Sequence, residues 1–537
     1  MKRKVCVIGG GPSGLISAKT LIDFKFAPII FEKEDNIDGL GGVWGDNGLA
    51  WEGMRCNLSC HTCCFSCLPW DDIDHDEFPT KNQMKKYLHT FAIQFNLLEI
   101  IRFNSQVVNV ERIEGGEEEG YIVTIREGEM ESQELFEFVV VCCGFFMTPL
   151  LPSSLPPIPS HISQHTLQSL PKDLRSDFGG EGVAVVGSSF SGGELISELK
   201  EIGSSPLLLF PSPSPRYYLP RTIYSPKDRC EIPIDLMFYS RSSLHPSGVP
   251  PINIEASHKF LSSISPIYPP TSLPSSSSPP QVAISDSFPN LIKSGGGVEV
   301  ANPISSSSVI PESIQHLIFC TGFGCDLSFL SSSLLSLLQY APSDSTLPFL
   351  AFEHTLVPNL PTFGLVGVYR GQYFLSIELQ ATLLCLHFLS PFPDHLIQSG
   401  LERLQEMRNS SDKPQFPEDY VHFSERLGKL CGLSPVLEEL EDEELKRMVE
   451  KGPFLPQHYQ LSGHHKEEAI KTIKRVNWEM SWRKRRRCRW LIGRSVTLFV
   501  MINFVLKWLY KFVLLLCVFD FILYQFHHLL FILGIII

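Results

Sequence analysis

Val5-Cys6-Val7-Ile8-Gly9-Gly10-Gly11-Pro12-Ser13-Gly14 reads as a short buried strand running into a glycine turn, and its reading decides the fold. Leu15 to Phe24 carries helical apolar spacing, and Ala27 to Phe31 is a second apolar run ending at Glu32. Strand, turn, helix and strand within about 30 residues is the size of a parallel crossover. Gly9 permits the tight turn, Gly11 lets backbone approach a diphosphate, and Gly14 lets the helix pack on the strand. Gly10, Pro12 and Ser13 complete the loop. The helix N-terminus then offers free N–H groups and a positive dipole to phosphate. Glu32 can accept hydrogen bonds from both ribose hydroxyls of an adenosine and would repel a 2′-phosphate. That suits FAD or NAD, not NADP.

The pattern recurs at Val183-Ala184-Val185-Val186, followed by Gly187-Ser188-Ser189-Phe190-Ser191-Gly192, a helix to about Lys200 and a strand at Pro206–Phe210. Gly187, Ser191 and Gly192 keep the outline of the turn. Ser189 replaces the middle glycine and puts a Cβ where backbone should meet a diphosphate. Arg216 and Arg221 lie beyond the next strand, where a guanidinium can reach a 2′-phosphate. A structural turn without nucleotide, flanked by ordinary surface arginines, is the plainer reading of the same residues. Between the two units the spacing predicts a helix near Met84–Phe95 and strands at Val107–Val110, Tyr121–Ile125 and Phe138–Cys142. From Pro211 to Ser308 the composition turns to Ser and Pro, and the tetraserines at 275–278 and 305–308 predict surface loops. Core-like sequence resumes at His316–Cys320, and residues 436–451 predict a solvated acidic helix.

A chain of 537 residues, 43% hydrophobic and 19% charged, has room for two large folded units plus extras. Its 45 Lys and Arg against 58 Asp and Glu give −13, which argues against a nucleic-acid binder. The 15 cysteines are scattered, and the apolar run after Met1-Lys2-Arg3-Lys4 stops at the glycines, so no cleavable signal peptide is read. Reduced thiols facing the cytosol fit that pattern.

Read together, the two turns and the sequence between them resemble the flavin-containing monooxygenase family. Gly41-Gly42-Val43-Trp44 matches the family's Gly-Gly-x-Trp, and Trp51 to Leu58 is similar to the stretch whose Asn lies beside the flavin, here Asn57. Phe65-Ser66-Cys67-Leu68-Pro69 and Phe78-Pro79 follow in place. Cys143-Gly144 and Phe319-Cys320-Thr321-Gly322-Phe323 resemble the two returns to the flavin domain, and Glu378-Leu379-Gln380-Ala381 the late Glu-x-Gln-Ala element. The family fingerprint after the first domain survives mainly as His165, with Pro159, His161 and Ser169 at its other marked positions. The arginine that many members place after the second strand of the NADP domain falls here at Pro213.

The resemblance implies an α/β protein of two doubly wound Rossmann-like nucleotide-binding domains, the NADP domain inserted in the FAD domain, plus a hydrophobic C-terminal tail. The FAD domain would be residues 1–160 and 311–435, the NADP domain 161–310, an acidic helical segment 436–482, and a basic run with a membrane-anchor tail 483–537. FAD and NADPH are the implied cofactors, with O2 and a small nitrogen- or sulfur-containing molecule as partners. The implied reaction is N- or S-oxygenation through a C4a-hydroperoxyflavin, with the protein supplying orientation, dryness and hydrogen bonds. Asn57 is then the expected catalytic residue. Gly9, Gly10, Gly11, Pro12, Ser13, Gly14, Glu32, Val43, Trp44, Asn57 and Leu58 would hold FAD. Gly187, Ser191, Gly192, Arg216 and Arg221 would hold NADPH, and Thr321 and Gly322, at the return between domains, would also bind cofactor. His165 is read as structural.

Cys56, Cys60, Cys63, Cys64 and Cys67 fall within twelve positions, with His61 among them. Cys60-x-x-Cys63 and Cys64-x-x-Cys67 have the bite of a zinc site or a redox dithiol, but they abut too closely for four tetrahedral ligands. Free thiols and no metal are expected. A flavin-dependent disulfide reductase using these thiols stays open as the alternative activity, as does a flavin-bound paralogue without oxygenase turnover. Arg483 to Arg489 is densely basic, and the chain turns apolar from Trp490. Phe512 to Ile537 exceeds the roughly 20 residues that span a bilayer, interrupted by Asp520 and His527-His528. With the basic run before it, the segment resembles the C-terminal anchors of animal members of the family. That implies an endoplasmic reticulum membrane with the catalytic part in the cytosol, or a segment lying in the interface.

Overall fold

A computed structural model describes residues 3–71, 73–113, 120–152, 155–171, 173–209, 216–225, 230–244, 254–265, 267–268, 279–294, 299–301, 309–463 and 465–481. The chain forms two compact units, Met1–Ile223 with Pro233–Arg475 and Tyr224–Ile232 with Val476–Ile537. In the second, residues 476–481 are helical.

The first unit holds two five-stranded parallel sheets. In one, the strands run Phe363–Leu365, Phe138–Val141, Lys4–Ile8, Ala27–Phe31, Ile101–Arg102 from edge to edge. The register pairs Val5 with Pro28 on one side and with Phe138 on the other. Val5, Cys6, Val7, Val139, Val140 and Val141 are fully buried. A parallel strand covered on both faces reads as an unbroken apolar run for this reason. The helix Pro12–Asp23 covers one face, with the helix Phe374–Leu389 packed against it. An antiparallel sheet of Gln106–Ile113, Gly120–Glu127 and Met130–Phe136 stands beside it. The helix predicted near Met84 starts three residues earlier, at Lys81. Thr80 and Gln83 close a capping box there, each side chain taking up a backbone N–H.

The second sheet runs Glu299–Ala301, Ser205–Leu209, Gly182–Val186, His316–Phe319, Ser163–Thr166. His316–Phe319 therefore belongs with the second glycine turn, and the return to the first sheet comes after it. The Ser/Pro-rich region is not all loop. Arg216–Leu219 pairs with Val282–Ile284, and Tyr217, Tyr218, Ala283 and Phe288 are buried. The tetraserines lie outside the described residues.

The acidic helix spans Glu443–Lys451, with only Leu445 and Val449 buried, as a solvated helix should be. The segment after it is different: Phe454, Leu455, Gln457, His458 and Tyr459 are buried, and Phe454 and Tyr459 join the core of the first sheet. Among the described residues no helix is long and apolar enough to cross a membrane. The basic run and apolar tail, 483–537, lie outside the described residues.

Candidate functional site: two glycine turns and a clamped amide

The first turn follows from its glycines. Gly9 has φ +105°, a left-handed conformation that favours glycine, and a Cβ on Gly14 would lie 1.8 Å from the Gly9 carbonyl oxygen. Pro12 opens the helix, where its missing N–H costs nothing. No side chain caps this helix, so its first N–H groups stay available to an anion. Gly11 leaves a slot: a Cβ there would stand 3.7 Å from the Cα of Gly42. Gly10 N donates to Glu32 Oε2 at 2.6 Å, and Glu34 N donates to Glu32 Oε1 at 3.0 Å. Burial pushes the Glu32 carboxyl up and these two donors pull it back. Each of its oxygens keeps a lone pair for a ribose hydroxyl. A diphosphate dinucleotide fits this donor set.

Two other segments close on the turn. Gly41 N donates to Gly10 O at 3.2 Å, and Gly42, Val43 and Trp44 form a single 3-10 turn opposite Gly11. On the other side a Cβ at Gly367 would lie 2.0 Å from Ser13 Oγ. Gly367 N donates to Gln380 Oε1 at 3.0 Å, Gln372 Nε2 donates to Gly367 O at 2.8 Å, and Gln380 Nε2 donates to Glu353 O at 3.0 Å. Glu378 accepts from Ser66 N and Ser66 Oγ. The late Glu-x-Gln-Ala element thus holds the backbone that presses on the first turn.

The second turn copies the first. Gly187 has φ +112°, and a Cβ on Gly192 would lie 1.9 Å from Gly187 O. Ser189 takes φ −86°, ψ −157°, close to the −73°, −176° of Gly11, and this extended backbone is open to any residue. Ser191 is half-buried in the first helical turn. Thr321 and Gly322 sit beside this second turn: a Cβ at Gly187 would meet Cys320 O at 2.3 Å and Thr321 N at 3.4 Å. Thr321 Oγ1 donates to Leu150 O, and Leu150 N donates to Gly322 O at 2.9 Å. The two connections between the sheets therefore run paired. His165 Nε2 lies 3.3 Å from His316 Nδ1 on the neighbouring strand, a contact within the sheet.

Asn57 sits half-buried where elements of both halves meet. Arg221 Nη2 lies 3.4 Å from Asn57 Oδ1, and Arg221 Nε donates to Cys56 O at 2.9 Å. Arg221 is also paired with Glu194 at 2.8 Å and with Asp286 at 2.9 Å. Burial opposes its charge, but the two carboxylates hold its pKa above the usual arginine range. One turn along the same helix, Glu198 accepts from Trp51 Nε1. Two like charges at i and i+4 on the helix Phe190–Glu201 each find a donor in or beside the 51–57 segment. Arg221, expected at a nucleotide phosphate, is instead a neutralised clamp on the Asn57 segment. Sequence reading missed this because the partners are 27, 65 and 164 positions away.

Leu58 follows half-buried, its carbonyl 3.6 Å from Cys63 Sγ. Asp235, not singled out in the sequence, fixes the loop beyond: its Oδ2 accepts from Ser59 N at 3.1 Å, Ser59 Oγ at 2.7 Å and Thr62 Oγ1 at 2.5 Å. Cys56, Cys63, Cys64 and Cys67 carry thiols and not disulfides. A hydrogen bond with Cys56 and then burial raise the Cys63 thiol, and burial pushes Cys64 up to about 12 and Cys67 upward as well. A reactive dithiol needs a thiolate near neutrality, and these groups are held protonated. Among the described residues no three His, Cys, Asp or Glu side chains gather as metal ligands do.

Residues 2–243 match the family model described as flavin-binding monooxygenase-like. The chain is 25% identical to rabbit dimethylaniline monooxygenase (N-oxide-forming) 4 over 531 residues, covering 89% of this chain and 88% of the relative. Over residues 2–243 the chain is similar to the flavin-containing monooxygenase family. It is 27% identical to rabbit flavin-containing monooxygenase 5 over 510 residues, 88% of this chain and 91% of the relative. The solved S-allyl-L-cysteine S-oxygenase of Allium sativum has the same fold, with TM-score 0.56 and 17% identity over 91% of this chain and 98% of that one. The chain is an NADPH-dependent oxidoreductase with FAD and NADPH as cofactors.

Proposed function

We propose that this chain oxygenates the nitrogen or sulfur of small molecules, with FAD on the first glycine turn and NADPH on the second. Relatives whose names record N-oxide formation and S-oxygenation support the substrate class. The observation that carries the reading is the clamp on Asn57. The bound flavin, reduced by NADPH, supplies the oxygen-transfer chemistry.

The chain's own residues do the rest. Gly9 to Gly14 present helix N–H groups to the diphosphate, and Glu32 grips the adenosine ribose. Arg221 occupies the amide oxygen of Asn57, which leaves the amide N–H groups to donate toward the flavin and the retained nucleotide. Because Arg221 is itself held by Glu194 in the helix that the second turn opens, nucleotide binding and amide placement share one support. Val43 and Trp44 form the wall opposite Gly11.

The test is an anaerobic NADPH titration of purified protein followed by oxygen, with tertiary amines and thioethers as substrates. Yellow protein, bleaching at 450 nm and product formed in step with NADPH are expected. NADPH consumed with neither peroxide nor oxygenated product overturns the reading.

The apolar tail from Trp490 is proposed to hold the protein at a membrane, on the strength of its composition and the basic run before it. Full-length chain left in the supernatant after membranes are pelleted would count against that.

A further inference from the structure

Glu353 and His354 have φ +48° and +54°, the only consecutive pair of non-glycine residues in the left-handed region among the described residues. Thr355 N donates to Phe352 O at 3.0 Å across them, and Phe352 N donates to Leu356 O at 2.7 Å. Positive φ at both central positions of a tight turn is the type I′ pattern. Asn-Gly fills it readily, whereas a glutamate and a histidine are strained there. Such a conformation persists only where its surroundings over-determine it.

The surroundings here are a buried ion network. Arg426, on the helix Tyr420–Cys431, grips Glu353 with two nitrogens, Nε on Oε1 at 3.2 Å and Nη2 on Oε2 at 3.0 Å. Arg426 Nη2 also donates to Glu418 Oε2 at 2.7 Å, and Arg403 Nη2 donates to Glu418 Oε1 at 2.7 Å. His354 Nε2 lies 3.2 Å from Glu418 Oε1, and its ring stacks on that of Tyr369 with centroids 5.3 Å apart. Glu353 and His354 are both buried. An Asn-Gly turn would close the same hairpin with neither strain nor buried charge. Stability alone gives no reason for this one.

What the turn holds supplies the reason. Glu353 O accepts from Gln380 Nε2 at 3.0 Å, and Oε1 of the same amide accepts from Gly367 N at 3.0 Å. Gln380 is fully buried, so water does not compete for either bond. Gly367, itself at φ +67°, lies against Ser13 in the first turn of the helix Pro12–Asp23, where a Cβ would come within 2.0 Å of Ser13 Oγ.

We infer that Glu353 and Gln380 are positioning residues for the flavin. The charge-held turn fixes the amide of Gln380, and that amide fixes the Gly367 peptide against the first glycine turn. This deepens the reading of FAD on that turn and rests on it. Asn-Gly would give the chain the same path with nothing to hold it, and the ion network makes the Glu353 carbonyl a rigid anchor.

The experiment uses the full chain loaded with FAD and the variants Gln380→Leu, Glu353→Asn and the two combined. FAD release after dilution is followed by the rise of flavin fluorescence, well below each melting midpoint so that every protein stays folded. Gln380→Leu should speed release about tenfold. Glu353→Asn, which suits a positive φ but is too short to reach Arg426, should speed it about threefold, and the 450 nm band should shift in both. Because the two residues act through one chain of contacts, the double variant should release FAD no faster than Gln380→Leu. Should a variant fail to fold, Gln380→Met or Glu353→Gln, which keep shape and volume, takes its place. Unchanged release in both single variants, with only the melting midpoint lowered, would make the network structural and overturn the proposal. Effects that multiply in the double variant would separate Glu353 from Gln380 and overturn it too. A wild type that binds no FAD would sink the reading of the first turn as the flavin site, and this proposal with it.

Discussion

The two glycine turns have nearly the same backbone and opposite electrostatics. Gly9 and Gly187 have φ +105° and +112°, and Cβ atoms on Gly14 and Gly192 would meet the carbonyls of Gly9 and Gly187 at 1.8 and 1.9 Å. At the end of the following strand the first turn's crossover offers a buried carboxylate, Glu32, and beyond that of the second stands Arg216, whose Nε and Nη1 are buried without a hydrogen-bond partner among the described residues. On the proposed reading, the comparison teaches that each turn would cradle phosphate and the next strand's end would choose which dinucleotide lies in it. Ser189 is the smaller difference: it sits where the backbone is extended, so it changes the space above the helix and not the path of the chain.

Gly14→Ala breaks the comparison hardest. The added methyl meets backbone, so purified protein should lose its yellow colour, with bound FAD down more than about tenfold. Gly192→Ala makes the same clash in the other sheet and should keep much of its flavin while reduction by NADPH slows. If both variants lose FAD equally, the two turns are not separable in function.

Next in size is Arg221→Ala, which strands Glu194 and Asp286 and frees Asn57. A broken buried pair costs about 3–5 kcal/mol, somewhat less here because Asp286 is half exposed. Peroxide released per NADPH should rise severalfold, and Arg221→Lys, which keeps the charge, should recover melting temperature more than coupling. Coupling unchanged in Arg221→Ala would remove Asn57 from the role assigned to it.

Acid should act on the flavin half. Burial, followed by the Arg241 charge, lowers His458 to about 3, and burial lowers His387 to about 4. Both stay neutral in the fold, whereas the unfolded chain takes up these protons near pH 6.5. Stability is therefore full above about pH 6.5 and falls as pH drops toward 4, where the unfolded state binds more protons. Melting temperature and flavin retention should decline together across that window by several degrees, with a shallower slope in His458→Phe. A flat profile would contradict the burial of these rings.

The smallest effect sharpens the comparison. Ser189→Gly should tighten NADPH by about two- to fourfold, without moving FAD content or melting temperature by more than about a degree. A larger change would mean that Ser189 holds the backbone as well as filling the space.

Where sequence reading erred, the cause was distance. The strand Ala27–Phe31 was legible to the residue because its apolar run and the turn and helix before it are read within a few residues. Met130–Phe136 was not singled out: five of its seven residues are exposed, and only the pairing with Gly120–Glu127 makes it a strand. The acidic helix was legible from its charges, but the burial of Phe454 to Tyr459 just beyond it was not.

Chain-local chemistry alone fixed the two crossover units and the carboxylate at the end of the first, since a glycine's allowed φ and an apolar period are set within a few residues. The fate of the arginines needed the folded molecule. Arg216 and Arg221 look alike in sequence, and only tertiary contacts give one of them two carboxylates and leave two nitrogens of the other buried without a hydrogen-bond partner, because a charge is neutralised by what lies within a few ångströms and not by what stands next to it in the chain.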